Sequence, residues 1–275
     1  MTSVQVKPFS FFSTALYSRK TCHVILPPDY EAAPEKRYLV LYLLHGMRGT
    51  EVSWMNNGRA HETVTRAMLD GDLQPCIVVM PNDGEYGQGT FYVDWYDGTG
   101  NFEQYFVYDL VPAIDREFRT LTGREHRVIG GYSMGGFGAF SLSLRHPELF
   151  GAASSLSGGL GVLSTLPHNE FVRSEFPRMV GPLAGPYARA HDLVMLAEQR
   201  LGETVRPELY FDCGTEDYLY PLNAAYHKKL NELGYLHEYQ EFSGEHNWAY
   251  WTEHLSDSLA FFHRYWAGGG AAVDC

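Results

Sequence analysis

Basic charge is scarce in this sequence. Its 275 residues hold 21 Lys and Arg against 33 Asp and Glu, a formal net charge of −12, and the basic residues form no cluster. Nucleic acids and anionic membranes are bound through basic patches, so neither is expected as a partner. Long apolar runs are also missing: none approaches the roughly 20 residues that cross a bilayer. The four cysteines, Cys22, Cys76, Cys213 and Cys275, are scattered and contain no C-x-x-C pair. That excludes a disulfide framework and points to reduced thiols. Residues 1–5 lack a charged segment leading into an apolar one, so no signal peptide is expected and the expected location is cytoplasmic. Asp83, Asp94 and Asp97 do not have the spacing of an EF-hand loop, and no metal is expected. The oligomeric state stays open, a homo-oligomer included.

Apolar residues make up 45% of the chain, enough for a sizeable core. Aromatic and β-branched residues alternate loosely through the first 30 positions and read as an antiparallel pair of edge strands. Continuous apolar runs follow at 38–44, 77–80, 128–132, 152–156 and 209–211, as expected of strands buried on both faces of a mostly parallel sheet. Helical spacing appears between them, at 59–69, 105–118, 135–144, 226–233 and 250–265. This alternation predicts an α/β fold, a mostly parallel central sheet with helices on both faces. The whole of 1–275 reads as a single domain. Residues 85–101, rich in Gly, Tyr and Asp, read as a long loop. Residues 160–207, broken by prolines and glycines, read as a lid-like insertion over one end of the sheet. The tail from about residue 267 is expected to be mobile.

The strongest local signal is Gly131-Tyr132-Ser133-Met134-Gly135, a G-x-S-x-G string. Such a string arises by chance often enough that context must carry it. Here a β-branched run leads in and a helical run leads out, the strand–turn–helix setting of a nucleophile elbow. The turn is tight, so the residues flanking the serine must be almost free of side chains. It also brings the Met134 backbone N–H and the start of a helix beside the position of a developing oxyanion.

A nucleophilic serine needs a base and an acid, which in this fold follow it in the order Asp or Glu, then His. Asp217 lies in Asp212-Cys213-Gly214-Thr215-Glu216-Asp217, in the turn after a strand, with Asp212 and Glu216 as rivals. His246 lies in Ser243-Gly244-Glu245-His246-Asn247-Trp248, after the strand-like run 238–242. Both occupy C-terminal strand ends, where such sheets place their chemistry. The second oxyanion donor is expected in His45-Gly46-Met47-Arg48-Gly49, with the Met47 N–H donating and Gly46 allowing the close approach. His45 is expected to be structural, as are His191, His227, His237, His254 and His263. Trp54, Trp95 and Trp248 are candidate walls of a substrate pocket, beside Phe91 and Tyr92.

Leu43-Leu44-His45-Gly46-Met47, the stretch Gly131 to Ala139, Cys213-Gly214-Thr215-Glu216-Asp217 and Gly244-Glu245-His246-Asn247-Trp248 occur in one order. Together they resemble the esterase family that holds S-formylglutathione hydrolase (esterase D), the bacterial tributyrin esterases, and feruloyl and acetylxylan esterases. The resemblance runs from about residue 5 to residue 265, and the segments around His45 and His246 are more similar to the tributyrin-esterase branch. It implies an α/β-hydrolase fold, no cofactor, the triad Ser133, Asp217 and His246, and Met47 and Met134 as oxyanion donors. The expected activity is a serine carboxylesterase acting on small, short-chain acyl esters. A glutathione thioesterase, an acyltransferase like the mycolyltransferases, and a non-catalytic scaffold of the same fold are the alternatives.

Overall fold

A computed structural model of the chain describes residues 5–165 and 175–268. Eight strands form one sheet: β1 (Gln5–Ser13), β2 (Ser18–Leu26), β3 (Leu39–Leu44), β4 (Cys76–Pro81), β5 (Arg127–Tyr132), β6 (Ala152–Leu156), β7 (Glu208–Gly214) and β8 (His237–Phe242). Their order is β1-β2-β4-β3-β5-β6-β7-β8. β1 and β2 form an antiparallel hairpin, and β2 joins β4 antiparallel; every pairing from β4 across to β8 is parallel. The architecture is that of an α/β-hydrolase.

The helical segments are α1 (Ser53–Asn56), α2 (Ala60–Asp70), α3 (Phe102–Gln104), a π-turn (Tyr105–Leu110), α4 (Val111–Glu117), α5 (Met134–Arg145), α6 (Val162–Thr165), α7 (Phe176–Val180), α8 (Pro186–Arg189), α9 (Leu193–Leu201), α10 (Tyr220–Leu233) and α11 (Trp248–Ala267). The continuous apolar strands follow from burial on two sides. Val40, Tyr42 and Leu44 of β3 face one core, which takes in α4, α5, α9 and α10. Leu41 and Leu43 face the other, closed by α2 and α11. Side chains alternate along a strand, so a strand between two helical layers needs apolar residues at every position.

At three places the structure adds to the sequence reading. The helix expected over 105–118 is not uniform. Val111 donates to the Phe106 carbonyl, five residues back, and regular α-helix resumes only after that. Pro112 is the cause: it has no N–H for the Tyr108 carbonyl and its ring crowds that oxygen, so the preceding turn widens. The long loop 85–101 is held by side-chain bonds. Asp83 Oδ2 accepts the Thr90 N–H at 2.8 Å, and Asp94 Oδ1 accepts the N–H groups of Glu103 and Gln104 at 2.9 and 3.1 Å.

The third place is 160–207. Its described C-terminal part supplies α9, which packs on α5 and α10 as an ordinary crossover helix between β6 and β7. Phe176 is buried against Phe91, 5.3 Å between ring centroids, and the Tyr96 N–H donates to the Met179 carbonyl at 2.8 Å. Residues 166–174, the middle of the lid-like stretch, lie outside the described residues, as does the expected mobile tail beyond residue 268. Among the described residues, no helix is long and apolar enough to cross a membrane. Cys22, Cys76 and Cys213 are buried free thiols, and burial pushes the Cys22 thiol up to about 12.

Candidate active site

β5 ends at Tyr132 and α5 begins at Met134, leaving a single residue for the turn. That residue, Ser133, has φ +56° and ψ −120°, a conformation that side chains rarely adopt. The surroundings hold it there. Ser133 N–H donates to the Leu156 carbonyl of β6 at 3.0 Å, and its own carbonyl accepts from Gly136 and Gly159. Gly135 must lack a side chain, because a Cβ there would stand 2.6 Å from the Leu44 carbonyl oxygen and 2.7 Å from that of His45. Both obstacles are backbone of β3 and its exit turn, which cannot swing aside. Gly135→Ala is therefore expected to destabilise the fold by about 3 kcal/mol or more, read as a shifted midpoint in denaturant unfolding.

His246 sits in the loop between β8 and α11. Asn247 caps that helix, its Oδ1 accepting the Ala249 and Tyr250 N–H groups. His246 Nε2 is 2.9 Å from Ser133 Oγ, and Nδ1 is 2.7 Å from Asp217 Oδ2. The Asp217 side chain is fully buried, and its other oxygen accepts the Leu219 N–H at 2.7 Å. A buried carboxylate beside Nδ1 calls for a proton on that nitrogen, which leaves the Nε2 lone pair facing the serine hydroxyl. The rivals point elsewhere. Glu216 Oε2 accepts the Gly244 N–H at 2.5 Å on the outside of the histidine loop. Asp212 lies beneath the loop with Oδ1 accepting the Tyr250 hydroxyl at 2.9 Å. Neither is bonded to His246.

Met134 opens α5, so its N–H belongs to the first turn, whose donors have no partner within the helix. Met47 follows Gly46 in a turn fixed by Gly49 N–H to the Gly46 carbonyl at 3.0 Å and by Arg48 N–H to the Gln88 carbonyl at 2.8 Å. A Cβ on Gly46 would stand 2.5 Å from the Tyr132 ring and 3.1 Å from Ser133 Cβ, so this turn passes close over the serine. His45 is buried, its Nδ1 2.8 Å from the Gly46 carbonyl, and the Tyr92 hydroxyl donates to the His45 carbonyl at 3.0 Å.

Ser133 and His246 open into a cleft of about 430 Å³, whose walls include Met47, Arg48, Tyr218, Trp248 and Trp251. Tyr218 lies 4.6 Å from the His246 ring, and Trp251 meets the imidazole edge-on at 4.9 Å. Two of the three expected pocket tryptophans stand elsewhere. Trp54 is almost wholly buried, its Nε1–H donating to the Leu44 carbonyl at 2.9 Å, and it backs Trp248 at 5.7 Å rather than lining the cleft. Trp95 is buried between Tyr86 and Phe102, with its Nε1–H on the Thr90 carbonyl. Only Trp248 of the three reaches the cleft. Sequence reasoning missed Tyr218 and Trp251. Trp251 was open to discovery: it stands one helical turn from Trp248 on the buried stripe of α11. A larger groove of about 690 Å³, at the opposite ends of β7 and β8, contains none of these residues.

The family described as "Putative esterase" matches residues 13–262. An acetyl esterase of Caldicellulosiruptor saccharolyticus is 25% identical, covering 94% of this chain and 98% of its own. An endo-1,4-beta-xylanase/feruloyl esterase of Xylanibacter ruminicola is 35% identical over 162 residues, 56% of this chain but only 22% of that protein. The chain thus spans about a fifth of that relative and nearly all of the acetyl esterase. Among solved structures, a ferulic acid esterase superposes with a TM-score of 0.81 at 27% identity, over 97% of this chain and 100% of that one.

Proposed function

The chain belongs to the Esterase family, and from that premise we propose that it is a serine carboxylesterase that hydrolyses short-chain acyl esters. The observation that carries the reading is the run of contacts from Ser133 Oγ to His246 at 2.9 Å and on to a fully buried Asp217 at 2.7 Å, opening into one cleft. Ser133 attacks the ester carbonyl while His246 Nε2 takes its proton. The tetrahedral oxyanion is held by the Met134 and Met47 N–H groups. His246⁺, stabilised by Asp217, returns the proton to the leaving alcohol. Water then attacks the acyl carbonyl as His246 takes its proton, and His246⁺ returns that proton to Ser133 Oγ as the ester bond breaks and the acid leaves. Trp248, Trp251 and Tyr218 form the apolar wall against which the substrate lies.

The substrate class is tested by initial rates on p-nitrophenyl esters from acetate to palmitate, beside S-formylglutathione. Turnover confined to short chains is expected, with the fall-off measuring the depth of the cleft. Turnover of the glutathione thioester alone would replace the carboxylesterase reading by a thioesterase. Gly46→Ala is expected to lower kcat by about 10- to 100-fold with little change in KM, because it displaces the Met47 donor, which acts mainly in the transition state. Steady-state kinetics on p-nitrophenyl acetate checks it, and an equal loss in KM would instead make this turn a substrate-binding element.

A further inference from the structure

Asp212 is a buried acid that the reaction above does not use. It lies on β7, fully inaccessible to solvent, five residues before Asp217. Its carbonyl accepts the Ser157 N–H at 2.9 Å, which ties it to the strand exit beside Ser133. Its Oδ1 accepts the Tyr250 hydroxyl at 2.9 Å, and no side chain among the described residues bonds its Oδ2. Tyr250 is in the first turn of α11, four residues after His246. Its ring fills the space over two glycines: a Cβ on Gly244 would meet it at 2.6 Å, and one on Gly214 at 3.3 Å. Gly214 ends the strand that leads to Asp217, and Gly244 begins the loop that carries His246. The two segments also meet directly, the Thr215 N–H donating to the Phe242 carbonyl at 2.8 Å and the Glu216 N–H to that of Gly244 at 3.2 Å, and Tyr250 packs against both behind the 2.7 Å contact at their tips.

We propose that Asp212 is a positioning residue for His246: it anchors the Tyr250 hydroxyl, and Tyr250 fixes the 214 and 244 segments against each other. The proposal rests on the esterase reading. Asp212 works as the neutral acid. The titratable groups that face it are Tyr210 and Cys213 on its own strand and Tyr250 and Asp257 on α11. From β6 it receives only a backbone N–H, and on β8 its register partner is Gln240. His254 lies 4.3 Å from the Tyr250 ring, tilted by 44°, and is bonded to Asp257 at 2.8 Å. With no lysine or arginine beside it among the described residues, burial pushes the carboxyl up to about 8. Above that pH a buried charge with no counter-ion forms under the histidine loop, and its desolvation cost favours opening of this segment to water.

The test is the pH profile of kcat on p-nitrophenyl acetate for the parent, Asp212→Asn and Tyr250→Phe. The parent should lose activity above pH 8, by about tenfold near pH 9 if only the protonated form is competent. Asp212→Asn, a neutral mimic, should stay flat across that range. Tyr250→Phe keeps the ring but removes the anchoring bond, so its kcat should fall already at pH 7, and because that bond favours the carboxylate its alkaline limb should move to higher pH. If Asp212→Asn does not fold, the shift in Tyr250→Phe decides alone. An alkaline limb unmoved in either variant overturns the inference. A parent without ester turnover would instead refute the esterase reading.

Discussion

Ser133→Ala is expected to lower kcat by roughly a million-fold while leaving the fold intact. The loss is large because the hydroxyl oxygen forms the covalent bond in the first half of the cycle and breaks it in the second. No neighbour replaces it: the other hydroxyl-bearing residues of the cleft are Ser53, Tyr132 and Tyr218, and none of them is hydrogen-bonded to His246 Nε2, which meets Ser133 Oγ. Residual turnover comes from the oxyanion donors and from binding alone. The fold should survive because Ser133 Oγ has His246 as its bonded side-chain partner, at a site open to solvent, so its removal leaves no closed cavity. Alanine also carries the same strain at φ +56° that serine carries. Kinetics with a thermal melt separate the two effects. Activity within tenfold of the parent would remove Ser133 from the mechanism.

Asp217→Asn should cost about ten-thousand-fold in kcat. The Leu219 N–H donates to Asp217 Oδ1 at 2.7 Å, so an asparagine would place its carbonyl oxygen there and turn its NH₂ toward His246. That group donates to Nδ1, driving the imidazole proton to Nε2, where it faces Ser133 and blocks proton transfer. The histidinium formed in the reaction also loses a carboxylate that is wholly shielded from water. Glu216→Gln serves as the control. Glu216 is exposed and serves the Gly244 N–H, so its change should cost less than about threefold. A greater loss in Glu216→Gln than in Asp217→Asn would reverse the choice of acid.

The five strands β3 to β7 were legible because burial on both faces leaves an unbroken apolar run. The G-x-S-x-G turn was legible because its glycines answer a close approach that only a strand–helix junction demands. The choice among Asp212, Glu216 and Asp217 was less so. All three lie within six residues, and their directions depend on where β7 ends, at Gly214, and on the turn that follows. α10 begins at Tyr220, six residues before the apolar spacing shows it, because its first turn is set by Pro221 rather than by a buried stripe. The tryptophans misled for a tertiary reason. Trp54 and Trp95 are near the motif loops in sequence, yet each spends its indole N–H on a backbone carbonyl within the core. Tyr218 carried no periodic signal at all; its place beside His246 comes from the turn that presents Asp217.

The central claim is that Ser133 carries the acyl group. It is tested most directly by mixing the protein with p-nitrophenyl acetate, quenching in acid within the first turnover, and mapping the modified peptide by mass spectrometry. The account expects the mass of one acetyl group on the peptide holding Ser133, formed in step with a burst of p-nitrophenol and absent from Ser133→Ala. Steady turnover with that peptide unmodified, or an acetyl group on another residue, would contradict it.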